Sequence, residues 1–267
     1  MSEINQNLNQ MVDTLINGIG KDLKDLDNDK LEELLRKIND AQKCNGHLET
    51  PPEDAAFPLM YTSYYKALIE HMYARRRKVS HLPYFPHLIG VCRILMTLPY
   101  SNGNDDLYAV ALLHDYIEDC VKTENREQTF YWIKEKFNEN CSKLIHELTS
   151  DESEKREYNG KEIVAYKEKD DEGYIQEKNK TNYINNRLLK MSSDALIIKL
   201  ADMLDNLGDI NIKNEKSPAF RERISSHVKF ISENMDKFAP KFLEDHYYLL
   251  NAIKRLLYFY ETKISNT

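Results

Sequence analysis

Three separated segments of this chain carry residues that could do chemistry together. In LYAVALLHDYIED, Leu107, Val110, Ala111 and His114 recur at i, i+3, i+4 and i+7, so a helix here turns the His114 imidazole inward with the aliphatic stripe. Asp115 is drawn in beside it, and an ionised carboxylate removed from water is strongly destabilising unless it is paired or bound to a metal. Alone, such a dipeptide is more often a satisfied structural pair than a ligand. Two other segments change that balance. RRRKVSHLPYFPHLIGVCRIL places His87 in the first turn of a helix just after Pro83 and Pro86, and IIKLADMLDNLGDI puts Asp202 in an otherwise aliphatic helix. Two imidazoles and two carboxylates make a mixed nitrogen and oxygen set suited to Mn, Fe, Co, Ni or Zn rather than Ca. Four protein ligands on a six-coordinate ion leave room for water and a phosphate oxygen, the arrangement of a catalytic site.

The elements that must position these residues read as helices. Hydrophobic residues are 41% of the 267 and charged residues 30%, too apolar for disorder, and no apolar run approaches the 18 residues of a membrane span. Only 8 glycines and 8 prolines argue for long helices over turn-rich sandwiches. The expected fold is all-α, with helices at roughly 59–78, 87–99, 105–119, 127–150, 183–209, 218–238 and 241–263. Residues 1–55 form a separate helical extension, with stripes Ile4, Leu8, Met11, Leu15 and Ile16, then Leu31, Leu34, Leu35 and Ile38; Pro51-Pro52 ends it. Residues 56–267 make the main domain. The charged stretch 150–180 is either a surface loop or lid, which is favoured, or a small hairpin turning at Asn159-Gly160.

Net charge is −7, from 37 basic and 44 acidic residues, which disfavours a whole-protein grip on nucleic acid, so any anionic ligand must be met locally. The densest basic cluster is Arg75-Arg76-Arg77-Lys78. Cys44, Cys92, Cys120 and Cys141 form no C-x-x-C pair, so reduced thiols and a cytoplasmic location are expected, the more so because MSEINQNLNQ lacks the features of a secretory signal.

Taken together, the motifs resemble the HD-domain hydrolases, specifically the hydrolase half of RelA/SpoT homologues and the small alarmone hydrolases. The matching strings are PYFPHLIGVCRIL (family pattern P-Y-x-x-H-P-x-x-V-A-x-I-L), ALLHDYIEDCVKT (A-L-L-H-D-x-x-E-D-T-x-x-T) and IKLADMLDNL (I-K-L-A-D-x-L-x-N-L), with HELTSD at 146–151 similar to a further family element. They span about residues 60–210 in the family's order.

The resemblance implies an HD-domain helical bundle in which His87, His114, Asp115 and Asp202 hold Mn²⁺, other divalent first-row ions being compatible with the same ligands. It implies that Glu118 and Asp119 are the catalytic acid and base. Their i+4 spacing from His114 and Asp115 would put both one turn beyond the ligands, and which does which is open. It makes Asn206 and Tyr84 substrate contacts, and counting from His71 it selects Arg76 to stack on the base, with Arg75 or Lys78 meeting phosphates. The implied reaction is removal of the 3′-pyrophosphate of (p)ppGpp-like nucleotides by a metal-activated water.

Departures from the pattern limit this. Ser80-His81-Leu82-Pro83-Tyr84 stands for S-G-x-P-Y, His87-Leu88 for H-P, Cys120 for a threonine, and Gly208-Asp209 for an R-T or R-D pair. The metal and acid positions are intact while several changes surround the base or ribose. Another phosphorylated ribose therefore stays open as substrate: an adenosine alarmone, the 2′-phosphate of NADPH, or a pyrophosphorylated RNA end. A different class of reading is a nucleotide-sensing protein whose extension 1–55 binds a protein partner or a second copy. The C-terminal stripe Phe230, Ile231, Phe238, Phe242, Tyr248, Leu249, Ile253 and Leu256 either closes the fold or makes a dimer.

Overall fold

Leu107 to Leu113 are all buried, which makes their helix hydrophobic on every side, as a helix packed all round must be. The computed structural model describes residues 55–71, 84–150, 153–158, 161–169, 175–178, 180–208 and 217–264; the expected extension of 1–55, but for its last residue, and the run Arg75-Arg76-Arg77-Lys78 lie outside them. The first elements are α1 (Pro58–His71), α2 (Phe85–Met96), α3 (Asp105–Leu113), the short α4 (Tyr116–Cys120), α5 (Arg126–Lys136) and α6 (Glu139–Leu148). Strands β1 (Ser153–Tyr158), β2 (Lys161–Lys169) and β3 (Ile175–Lys178) follow. Then come α7 (Lys180–Lys190), α8 (Ser193–Gly208), α9 (Ser217–Glu233), α10 (Met235–Phe238) and α11 (Glu244–Ile264).

Helix α3 packs against α1, α2 and α6, and α8 lies between α2 and α11. The start of α3 ties its neighbours down. Asn104 Oδ1 caps it, accepting from the Leu107 N–H at 3.2 Å. The Asp105 carboxylate reaches α1 and accepts from the Leu59 and Met60 N–H groups at 2.8 and 2.7 Å, an anion on the positive end of a helix. Asp106 accepts from the side-chain amides of Asn138 and Asn140, each at 2.8 Å, and so fixes the start of α6. At the other side of the bundle, Lys241 Nζ donates to the Leu189 and Met191 carbonyls at the end of α7, and the Tyr260 hydroxyl donates to the Leu207 carbonyl at 2.7 Å. Phe238, Phe242, Leu249 and Ile253 are buried whereas Tyr248 is exposed: within this chain the C-terminal stripe closes the fold.

Several expected helices are divided. The span 105–119 breaks at His114-Asp115, 127–150 at Phe137-Asn138, 183–209 at Met191-Ser192 and 218–238 at Asn234. The second and third breaks have a local cause in capping: Asn138 is extended and accepts from the Cys141 N–H at 2.8 Å, and Ser192 Oγ accepts from the Ala195 N–H at 3.3 Å. The 150–180 stretch is not the favoured loop. It holds a three-stranded antiparallel sheet in the order β1-β2-β3, with Tyr158 paired to Lys161; the expected turn at Asn159-Gly160 lies outside the described residues.

Candidate metal centre

The break after α3 places the chemistry. Neighbouring residues of a regular helix point well apart and do not face each other. Here His114 ends α3, and Asp115, at φ −99° and ψ 0°, starts α4. The departure from regular helix lets the two side chains converge, with His114 Nε2 3.0 Å from Asp115 Oδ2. From α2, His87 Nε2 comes within 3.9 Å of the same oxygen and 3.2 Å of Asp202 Oδ1 on α8; His114 Nε2 is 3.9 Å from that Asp202 oxygen. His87, His114 and Asp115 each bring a ligand atom to within 4.8 Å of one another.

Both imidazoles are oriented from behind. His87 Nδ1 lies 2.6 Å from Asp205 Oδ2, and His114 Nδ1 lies 2.7 Å from the Ala111 carbonyl oxygen. Each acceptor takes an Nδ1–H, which turns the Nε2 lone pairs toward the carboxylates. His114 Nε2 is buried and makes no aligned hydrogen bond. Lone pairs facing carboxylate oxygens repel one another unless protons or a cation lie between them. Burial alone would lower the His114 pKa, but Asp115 and Asp202 outweigh it and lift it to about 9. Burial would likewise raise both carboxyls, yet His114 holds Asp115, and Lys199 with the two imidazoles holds Asp202, well below the usual range. The donor set and the orphaned nitrogen fit a first-row divalent cation.

Around this core, Lys199 Nζ donates to Asp202 Oδ2 at 2.6 Å, and the Asn206 amide donates to Asp202 Oδ1. A carboxylate oxygen accepts more than one contact, so these leave Asp202 able to serve as a ligand. The Tyr84 hydroxyl donates to Asp115 Oδ2; burial and then the Asp115 charge hold its pKa far up, so it stays a donor. The Tyr84 ring stacks on His71, with centroids 5.3 Å apart. Glu118 is exposed and its Oε1 accepts from the Ser150 N–H at 2.5 Å.

Asp115, Glu118, Asp202 and Asn206 line a cavity of about 210 Å³ whose lining also includes Lys199, Arg187 and Arg223. Asp119 is exposed and is absent from that lining, so of the two expected acids only Glu118 faces the cavity. Arg75, Arg76 and Lys78 lie outside the described residues. Sequence reasoning passed over Lys199, Asp205, Arg187 and Arg223. The first two were within reach: they stand at i−3 and i+3 from Asp202 and so share its helix face.

An HD domain family model matches residues 66–228. This chain belongs to the HD-domain family. The HD domain implies divalent-metal binding, and the His/Asp cluster above supplies ligands for it. The chain is similar to the Drosophila melanogaster guanosine-3′,5′-bis(diphosphate) 3′-pyrophosphohydrolase MESH1, at 29% identity over 146 residues. That match covers 55% of this chain and 66% of the relative, just under two thirds of its length. It is also similar to the solved structure of a metazoan SpoT orthologue described as hydrolysing ppGpp. The TM-score is 0.51 at 23% identity, covering 77% of this chain and 97% of the other, a likeness of fold. Among the described residues no helix is long and apolar enough to cross a membrane.

Proposed function

We propose that this HD domain is a divalent-metal-dependent phosphohydrolase that removes the 3′-pyrophosphate of (p)ppGpp-like nucleotides. The observation that carries the reading is the convergence of His87, His114, Asp115 and Asp202 beside a cavity that Asp115 and Asp202 line and to which Lys199, Arg187 and Arg223 bring positive charge; the similarity to a 3′-pyrophosphohydrolase supplies the substrate class. The four residues would hold the metal; the mixed ligand set admits several first-row ions, and we assign Mn²⁺ from the family resemblance. When bound, such an ion polarises a phosphate and lowers the pKa of water.

The chain's own residues would do the rest. Glu118, held by the Ser150 N–H at the cavity, accepts the proton of the attacking water. The water oxygen bonds to phosphorus and the P–O3′ bond breaks. The leaving ribose oxygen takes the proton that Glu118 has accepted, so that a 3′-hydroxyl nucleotide and pyrophosphate result; Asp119, which does not line the cavity, is given no proton to carry. Lys199, Arg187 and Arg223 place positive charge where the phosphates would lie, a local answer to a net charge of −7. Asn206, which lines the cavity, and Tyr84, which donates to Asp115, would contact substrate, and Arg76 with Arg75 or Lys78, outside the described residues, would meet the base and outer phosphates. The three described cysteines are free thiols, the state kept in a reducing cytoplasm.

Turnover of ppGpp with Mn²⁺, compared with an adenosine alarmone, NADPH and pyrophosphorylated RNA, tests the reading. Pyrophosphate release from ppGpp is expected. Asp115→Ala should lose metal, whereas Glu118→Gln should keep it and lose roughly 10²–10⁴-fold in rate. No release from any compound would overturn the catalytic reading, and phosphate release from NADPH alone would move the substrate.

A further inference from the structure

We propose that Asp205 is a positioning residue that fixes the His87 ring for metal ligation, and that Gly90 is glycine because only the absence of a side chain there admits the Asp205 carboxylate. This rests on the metal-centre reading above.

The His87 imidazole is sealed, with 2% of its side chain exposed, so water cannot replace a missing partner at Nδ1. Asp205 Oδ2 lies 2.6 Å from that nitrogen. An accepting carboxylate keeps the proton on Nδ1 and the Nε2 lone pair forward, and it raises the basicity of the ring as a ligand. Were Nδ1 to lose its acceptor, the ring would either bury an unsatisfied N–H or shift the proton to Nε2, where it would block the metal. The two histidines differ in this respect: His114 is backed by the neutral Ala111 carbonyl, His87 by an anion. Asp205 also sits at i+3 from Asp202, so one face of α8 addresses both nitrogens of the His87 ring, Asp202 in front and Asp205 behind.

Gly90 supplies the independent observation. It occupies the interior of α2, where glycine is destabilising relative to alanine, and its backbone is not in the left-handed region that would require it, the positive-φ glycine among the described residues being Gly103. A Cβ at position 90 would stand 1.9 Å from Asp205 Oδ1 and 2.7 Å from its Cγ, and these with Oδ2 at 3.2 Å are the nearest atoms it would meet. Any side chain at 90 therefore displaces the carboxylate from His87.

Calorimetric titration of the full chain with Mn²⁺ tests this in wild type, Asp205→Ala, Asp205→Asn, Gly90→Ala and the double variant Gly90→Ala with Asp205→Ala. Asp205→Ala should weaken Mn²⁺ binding by about 10–100-fold. Asp205→Asn, whose amide oxygen still accepts the Nδ1–H, should recover most of that loss. Gly90→Ala alone should weaken binding at least tenfold, yet add little once residue 205 is alanine, because the clash is then gone. Unchanged affinity in Asp205→Ala, or losses at 90 and 205 that simply multiply, would overturn the role. If Asp205→Ala folds poorly, Gly90→Ala carries the test by itself, and wild-type affinity there overturns the proposal. Failure of the wild type to bind Mn²⁺ would instead overturn the metal-centre reading on which this depends.

Discussion

At His114 a proton and a divalent cation compete for one lone pair. Burial works against the imidazolium, but Asp115 and Asp202 hold the pKa near 9 in the metal-free protein. Metal binding must expel that proton. Affinity should therefore rise with pH up to about 9 and fall below it, by up to about tenfold per pH unit for one displaced proton. The Kd for Mn²⁺ at pH 7 and pH 8.5 checks this, and equal values would mean that Nε2 is not a ligand. The same residue shows what was readable in advance. The stripe Leu107, Val110, Ala111, His114 announces burial through its period, and all four are buried. Asp205 was not read because an acid one turn from a ligand looks like any solvated helix position; its meaning comes from Gly90, 115 positions away in the sequence and close only once α2 and α8 are packed.

The helices are stabilised by contacts between them as much as by their own caps. Asp105 belongs to α3 but caps the start of α1, through two charge-assisted hydrogen bonds. Asp105→Ala should destabilise by about 1–2 kcal/mol, lowering Tm by roughly 2–8 °C, while leaving the Mn²⁺ Kd unchanged because His114 lies at the opposite end of α3. A melt of the metal-free protein reads the first effect and titration the second; an unchanged Tm would show the cap to be idle. Element existence was largely legible from apolar spacing, since packing follows it. Element division was not. Nothing in ALLHDYIED forbids a continuous helix, and the break at His114-Asp115, which lets adjacent side chains meet at one point, carries no side-chain cap at Asp115 to announce it. The sheet escaped for a similar reason: SEKREY has no alternating apolar face of its own, and it becomes a strand by pairing with residues 161–166.

Across the molecule, Lys199, Arg187 and Arg223 bring positive charge to the cavity, and the centre draws on α2, the α3–α4 junction and α8. An ion bound there joins three segments that the unfolded chain holds apart. Adding Mn²⁺ should therefore stabilise the fold, by about 2.7 kcal/mol at a hundredfold excess over Kd, and a chelator should reverse the rise in Tm. No rise in Tm at saturating Mn²⁺ would argue that no ion joins these segments.

The bond between His87 and Asp205 spans 118 positions of chain, and that distance governs assembly in time. Closing so long a loop costs entropy before the contact returns any stability. A growing chain that has reached only α6 owns two imidazoles and one carboxylate, with neither the residue that completes the set nor the one that aims the first ring. Such a partial chain has no finished site in which to trap a metal wrongly. The complete set therefore forms only when α8 packs against α2, so full metal affinity should appear late in folding.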